Sequence, residues 1–167
     1  MKHTVKAKQN NSQKCFVCGL DNDFGLKASF FEIDNDELVA IFTPSDLHQG
    51  YPGRLHGGLA STILDETIGR AILIKDQNIW GVTLELNVKF RKPIPLNQNL
   101  KVVARLTEEN SRTFKGTGEI ILENGDKAIS AEGRYFKLSL DKITDKEFTE
   151  DEWFNLPEEN DPKEIDF

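Results

Sequence analysis

The stretch His56–Arg70, HGGLASTILDETIGR, decides how this chain folds. Leu59, Ala60, Ile63, Leu64 and Ile68 lie within it, and Ala71, Ile72, Leu73 and Ile74 follow directly. These apolar residues do not keep to one stripe, and a helix that is apolar nearly all round is buried in a core. The stretch therefore reads as one long core helix over 57–74. It is entered through Gly57-Gly58 and stopped by the polar run Lys75-Asp76-Gln77-Asn78, with no C-cap glycine. Asp65 and Glu66 stand in its middle. A carboxylate in such a place is costly to desolvate unless it is paired or wetted. Either the helix borders a water-filled cleft, or it holds an acid for chemistry.

Working outward, Trp80, Val82, Leu84, Leu86, Val88 and Phe90 alternate with Gly81, Thr83, Glu85, Asn87 and Lys89. This is a strand with one face on the core and the other toward water or a partner. Pro93 and Pro95 end it. Residues 100–106 read as a further strand, and 114–123 with 127–138 as a hairpin across Asn124-Gly125. Before the helix, Leu26, Ala28 and Phe30 alternate with Lys27 and Ser29. Asp34-Asn35-Asp36 turns the chain, and 38–43 pairs back. An irregular loop over 44–55 holds His48, Gly50, Pro52 and Gly53. The order β-β-α-β-β-β-β predicts an α+β fold, a curved antiparallel β-sheet wrapped around one long central helix. No internal repeat is visible.

With 167 residues the chain reads as one domain with a sizeable core. Residues 1–14 are expected as a flexible arm, 15–140 as the folded domain and 141–167 as an acidic tail. The tail should form a short helix near 149–155, capped by Thr149 and docked through Phe148, Trp153, Phe154 and Leu156. It holds 11 acids and 3 lysines, so the net charge of −7 leaves the rest of the chain at +1. No basic stripe marks a nucleic-acid binder. Mean hydropathy is −0.48. No run approaches the roughly 18 apolar residues of a membrane span, and residues 1–14 lack the apolar core of a signal peptide. The expectation is a cytoplasmic protein without a membrane partner.

Cys15 and Cys18 form one C-x-x-C. Structural zinc takes four ligands, and only His3, His48 and His56 could complete a set. No βαβ pattern surrounds the pair to suggest a thioredoxin-like role. The segment reads as a structural turn, CFVCG, with Cys15 and Phe16 packed on the body, and no metal is expected.

Among the residues able to do chemistry, Asp65 comes first. Its i+4 neighbour is Gly69, so no ion pair along the helix surface explains it. It can act as general base on water or as nucleophile. It can also be a structural carboxylate paired with Arg70 or a strand residue. Glu66 lies about 100° further round the helix and reads as an exposed edge or a pair to a strand lysine. The first N–H groups of the helix, at Gly57 and Gly58, have no helical acceptor and suit a carbonyl oxygen turning into an oxyanion. Gly58 and Asp65 are seven residues apart, about 10 Å along a helix. Both must come within roughly 3 Å of one reacting group, which is too far for one helix. A second copy of the chain resolves this, placing the site across a homodimer interface, two sites per dimer. His56 either orients water or substrate, or closes its loop by bonding backbone.

The HGG motif followed by an acid at this spacing resembles the hotdog-fold acyl-CoA thioesterases of the phenylacetate-degradation (PaaI-like) type. The similarity runs through most of residues 15–138. It implies hydrolysis of acyl-CoA thioesters to free acid and CoA, with no metal or redox cofactor. It implies Asp65 as the catalytic acid, one of Gly57 and Gly58 as the polarising donor, and Thr83 as a hydroxyl holding the attacking water. Sites across a homodimer agree with it, as does a pairing of dimers into a homotetramer. Lys89, Arg91 and Lys92, with Arg112, would take the phosphates of CoA. Relatives also carry a Cys-x-x-Cys-Gly segment before the first strand. One departure stands out. Many members place Asn or Gln six residues before the histidine, where this chain has Gly50, flanked by Gln49 and Tyr51. Either Gln49 substitutes or His56 serves instead. Two other readings fit the same fold: a non-catalytic acyl-CoA-binding module, which the Gly50 departure favours and Asp65 opposes, and a hotdog dehydratase using His56 and Asp65.

Overall fold

Strands whose residues alternate with period two can bury both faces when each face has something to pack on. That is how this chain builds its core. The computed structural model describes residues 1–167. Its strands are β1 (Lys2–Lys8), β2 (Asn11–Ser12), β3 (Ser29–Ile33), β4 (Leu38–Phe42), β5 (Trp80–Phe90), β6 (Leu100–Glu109), β7 (Thr113–Ile121), β8 (Lys127–Leu138), β9 (Trp153–Phe154) and β10 (Glu164–Asp166). The helix α1 spans Gly57–Arg70 and tightens into a 3-10 turn over Ala71–Ile74, so the predicted helix is present with a changed pitch at its end.

Eight strands form one antiparallel sheet in the order β10-β1-β3-β4-β6-β7-β8-β5, and β2 pairs with β9 separately. The sheet packs on α1 through Phe30, Leu38, Ala40, Phe42, Leu100, Val102 and Ala104, opposite Ala60, Ile63, Leu64 and Ile68. Phe31, Ile33, Val39 and Val103, on the alternate positions, meet Ile121 and Ile165 in a second small cluster. Burying one such side chain stabilises by about 1.5–3 kcal/mol. This is the hotdog fold: an α+β layer with one helix held by a long antiparallel sheet. No helix is long and apolar enough to cross a membrane.

The structure changes four expectations. Residues 1–14 are not a flexible arm: β1 pairs with β3 and β10, and β2 with β9. The tail forms no helix at 149–155. Thr149 closes only a turn, accepting from the Glu152 and Trp153 N–H groups, and Trp153–Phe154 become β9. Its aromatics do dock, with Trp153 and Phe148 against Trp80. The first core strand begins at Ser29 rather than Leu26, because Lys27 takes φ 49° and breaks the extended run. Leu26 and Ala28 stay buried and hydrogen-bond the CFVC turn at Phe16 and Val17. Lastly, β5 is not a regular alternation. A bulge between Thr83 and Glu85 adds one residue against β8. Thr83 consequently reaches α1, Leu86 and Val88 pack on the core further along, and Leu84 and Phe90 remain exposed.

Candidate active site

The bulge brings together what the sequence separates. Thr83 on β5 pairs with Tyr135 on β8, and both side chains reach Asp65 on α1. The Thr83 hydroxyl donates to Asp65 Oδ1 at 2.8 Å and the Tyr135 hydroxyl to the same oxygen at 3.1 Å. The Tyr135 hydroxyl is also 3.1 Å from the Asp65 carbonyl oxygen. Asp65 Oδ2 has no donor from the chain. Burial pushes the Asp65 carboxyl above the ordinary aspartate range, the two hydroxyls pull it back, and Glu66 adds to the rise. Burial first, and then Asp65, hold the Tyr135 phenol well above its usual range, so it stays a donor.

Tyr135 is fixed by the residues around it. Its ring stacks on Phe114 at 5.0 Å. A Cβ at Gly133 would lie 2.5 Å from that ring, and one at Gly69 would lie 3.2 Å from it. Glycine at both positions leaves the ring the space to lie flat beside α1. Asp65, Gly69, Trp80, Gly81, Thr83 and Tyr135 line a cavity of about 140 Å³. Tyr135 was absent from the sequence expectations. Its only local signal is an aromatic two residues after a glycine on one strand face; its pairing with Thr83 depends on register.

The other predicted residues fall as follows. His56 is the N-cap of α1, with φ −60° and ψ 130°. Its Nδ1 accepts from the Gly58 N–H at 2.9 Å. This closes the loop and occupies one of the two proposed oxyanion donors, a correction for Gly58. The Gly57 N–H has no acceptor in the chain, and Gly57 is exposed at the helix start. Gly50 packs against His56, where a Cβ would lie 3.0 Å from the His56 Cα. Gln49 does not substitute at the site, because its side-chain oxygen accepts from the Gly53 N–H at 2.9 Å. His48 is buried and structural: Nδ1 accepts from the Ser45 N–H, so Nε2 donates to the Phe24 carbonyl. Glu66 pairs with Arg70 at 2.8 Å rather than with a strand lysine.

The four cations expected for CoA do not gather within one chain. Lys92 is paired to Asp126 at 2.6 Å. Lys89 lines an open groove of about 610 Å³ together with Glu85, Lys115 and Arg134. Arg91 is exposed next to it. Arg112 sits at the other end of the sheet: β8 pairs through Phe136 with Thr113 and through Ser130 with Lys89, about 20 Å apart at strand rise.

Comparison with known proteins agrees with the fold. Residues 52–129 match the family model described as Thioesterase superfamily. Acyl-coenzyme A thioesterase THEM4 of Rattus norvegicus is 28% identical over 144 residues, covering 82% of this chain and 59% of its own length. The chain thus spans less than two thirds of that curated relative. The E. coli PaaI protein from the phenylacetic acid degradation operon superposes with a TM-score of 0.62 at 17% identity, over 68% of this chain and 81% of that one. A hypothetical thioesterase protein of Streptococcus pneumoniae, solved with coenzyme A, does so with a TM-score of 0.57 at 20% identity, over 62% and 82%. The matched segment carries α1, β5, β6, β7 and the start of β8, the part of the chain that holds Asp65 and Thr83.

Proposed function

We propose that the protein hydrolyses acyl-CoA thioesters to a free carboxylic acid and CoA, at sites shared between two copies of the chain. The observation that carries this reading is Asp65, a half-buried carboxylate beside a small cavity with one oxygen held by two hydroxyls and the other free. Thr83 and Tyr135 fix the carboxylate's orientation. Oδ2 then takes a proton from the water that attacks the thioester carbon and returns it to the leaving sulfur, or attacks that carbon itself to give an anhydride that water then hydrolyses; on either route the carbonyl oxygen gathers negative charge. The Gly57 N–H, at the positive end of α1, is the donor for that oxygen. When the C–S bond breaks, the sulfur leaves as the CoA thiol.

Gly57 and Asp65 are about 12 Å apart along α1, so one chain cannot bring both to the same carbonyl. The free edge of β5, with Val82, Leu84 and Phe90 exposed on it, suits a second copy. Coenzyme A in the Streptococcus pneumoniae structure and the name of the rat relative support acyl-CoA as substrate. Lys89 and Arg91 are the cations best placed for the CoA phosphates, and location in the cytoplasm belongs to the same reading. A non-catalytic binder would gain nothing from a costly carboxylate held in this way.

The test is thiol release from short, medium, long and aromatic acyl-CoAs by the wild type and by Asp65→Ala. Turnover should fall by roughly a hundredfold or more in the variant. Equal turnover in both would remove Asp65 from the chemistry, and tight acyl-CoA binding without turnover by the wild type would leave the binding module.

A further inference from the structure

In the sequence, CFVCG offers only one pair of sulfurs. The fold supplies a third group. Glu66, one residue past Asp65 on α1, brings a carboxylate oxygen against this turn. The sulfurs of Cys15 and Cys18 and that oxygen all lie within 4.8 Å of one another.

The turn itself has the shape of a metal-holding knuckle. The Val17 and Cys18 N–H groups donate to Cys15 Sγ at 3.3 and 3.4 Å. The Gly19 N–H donates to the Cys15 carbonyl at 2.8 Å. A Cβ at Gly19 would lie 2.3 Å from that carbonyl oxygen, so the turn closes only with glycine there. Donors aimed at a sulfur fix its position, and the thiolate that binds metal forms when the ion displaces the proton. The second sulfur is supported as well, because Arg70 Nη2 donates to Cys18 Sγ at 2.9 Å. Arg70 is anchored by its bond to the Asn10 carbonyl and by stacking over the rings of Phe30 and Trp153. Such hydrogen bonds orient ligands in metal sites.

Charge points the same way. Once the ion displaces their protons, the two sulfurs and the Glu66 carboxylate carry three negative charges, against one positive charge from the Arg70 guanidinium, which bonds both Cys18 Sγ and Glu66 Oε1. A divalent cation brings the group to neutrality. His48 and His3 are engaged elsewhere, with the Phe24 carbonyl and with Asp34, and so are not ligands. A cavity of about 350 Å³ lined by Cys15, Cys18, Glu66 and Trp153 opens beside the cluster, and water in it would give a fourth ligand.

We infer that Cys15, Cys18 and Glu66 form a binding site for a thiophilic divalent cation of the zinc type, tying the N-terminal turn to α1 one residue from Asp65. Such a site needs S–M distances near 2.3 Å and a tetrahedral arrangement, so binding draws the three groups together around the ion. The site is independent of the hydrolase reading, and its test does not use turnover.

The experiment titrates the full-length reduced protein with Co²⁺ and follows the near-ultraviolet sulfur-to-cobalt charge-transfer band, with Zn²⁺ added afterwards to displace it. The expected result is one cobalt per chain with an intensity matching two thiolates. Cys15→Ser should remove about half of the band. Glu66→Gln should keep the band but weaken the affinity by more than the roughly 10–100-fold that losing a supporting hydrogen bond costs. Glu66→Gln keeps both sulfurs and the size of the side chain, so it reports on the site even if the cysteine variant folds poorly. Absence of the band, with both thiols still reacting freely with a thiol reagent in excess Co²⁺, overturns the proposal. So does an affinity unchanged by Glu66→Gln.

Discussion

Asp65 owes its character to two hydroxyls that sit 18 and 70 residues further along the chain. Each removes part of the freedom of the carboxylate without neutralising it. Tyr135→Phe deletes one donor and leaves the ring stacked on Phe114. The expected outcome is a kcat lowered by about tenfold at unchanged KM, since the lost interaction positions the acid rather than the substrate. The stability cost is about 1 kcal/mol, visible as a thermal midpoint within roughly 4 °C of the wild type. A normal kcat in the folded variant would show that Tyr135 only packs. Asp65, Gly57 and His56 were legible as candidates because their roles follow from a local pattern, an acid in an apolar helix behind HGG. Tyr135 was not, because nothing local says which strand residue faces Asp65. That His56 bonds backbone was one of the two readings open in the sequence; that it takes the Gly58 N–H was not legible, because the rotamer of a capping side chain is set by the loop it closes.

At the scale of elements, α1 and strands β4 to β8 could be read from their patterns, while β3 was expected from the alternation at Leu26–Phe30 and runs over Ser29–Ile33. The bulge in β5 could not. It arises from pairing with β8, and it moves Thr83 from the face expected to meet water onto the helix. The same strand makes a second prediction. β5 is an unpaired edge with exposed Val82 and Leu84, and exposed apolar edges invite pairing unless charged. Replacing both Val82 and Leu84 by lysine should give a monomer by size-exclusion chromatography with multi-angle scattering, with unchanged far-ultraviolet circular dichroism and little turnover. A folded, active monomer would contradict the shared site.

The whole molecule shows what short segments gain from distant partners. KHTVKAK, at residues 2–8, is too polar to declare itself a strand. It becomes one because β3 accepts it on one side and β10, from the far end of the chain, covers it on the other. The tail turn at Thr149 likewise gives way to β9 because Asn11–Ser12 offer pairing. Ile165 of β10 is buried among Phe31, Ile33, Val39 and Val103, on the side of the sheet away from α1. Ile165→Asp places a carboxylate there and uncovers the β1 edge. It should destabilise the fold by about 3 kcal/mol, which lowers the thermal midpoint by roughly 6–12 °C. Activity per folded molecule should be unchanged, because the Asp65 cavity lies across the sheet. Loss of activity without loss of stability would contradict this separation.

The central claim, that Gly57 of one copy serves Asp65 of another, has a direct test in mixed dimers. Gly57→Pro removes the free N–H at the first helical position, where proline is well accepted, and the extended backbone of His56 before it allows the change. Gly57→Pro and Asp65→Ala should each be nearly inactive alone. Unfolded together and refolded as an equal mixture, they should recover about a quarter of wild-type turnover. Half of the dimers are then mixed, and one of the two sites in each pairs an intact Gly57 with an intact Asp65. A mixture as inactive as its two components, with mixed dimers demonstrated by native mass spectrometry, would contradict the shared site.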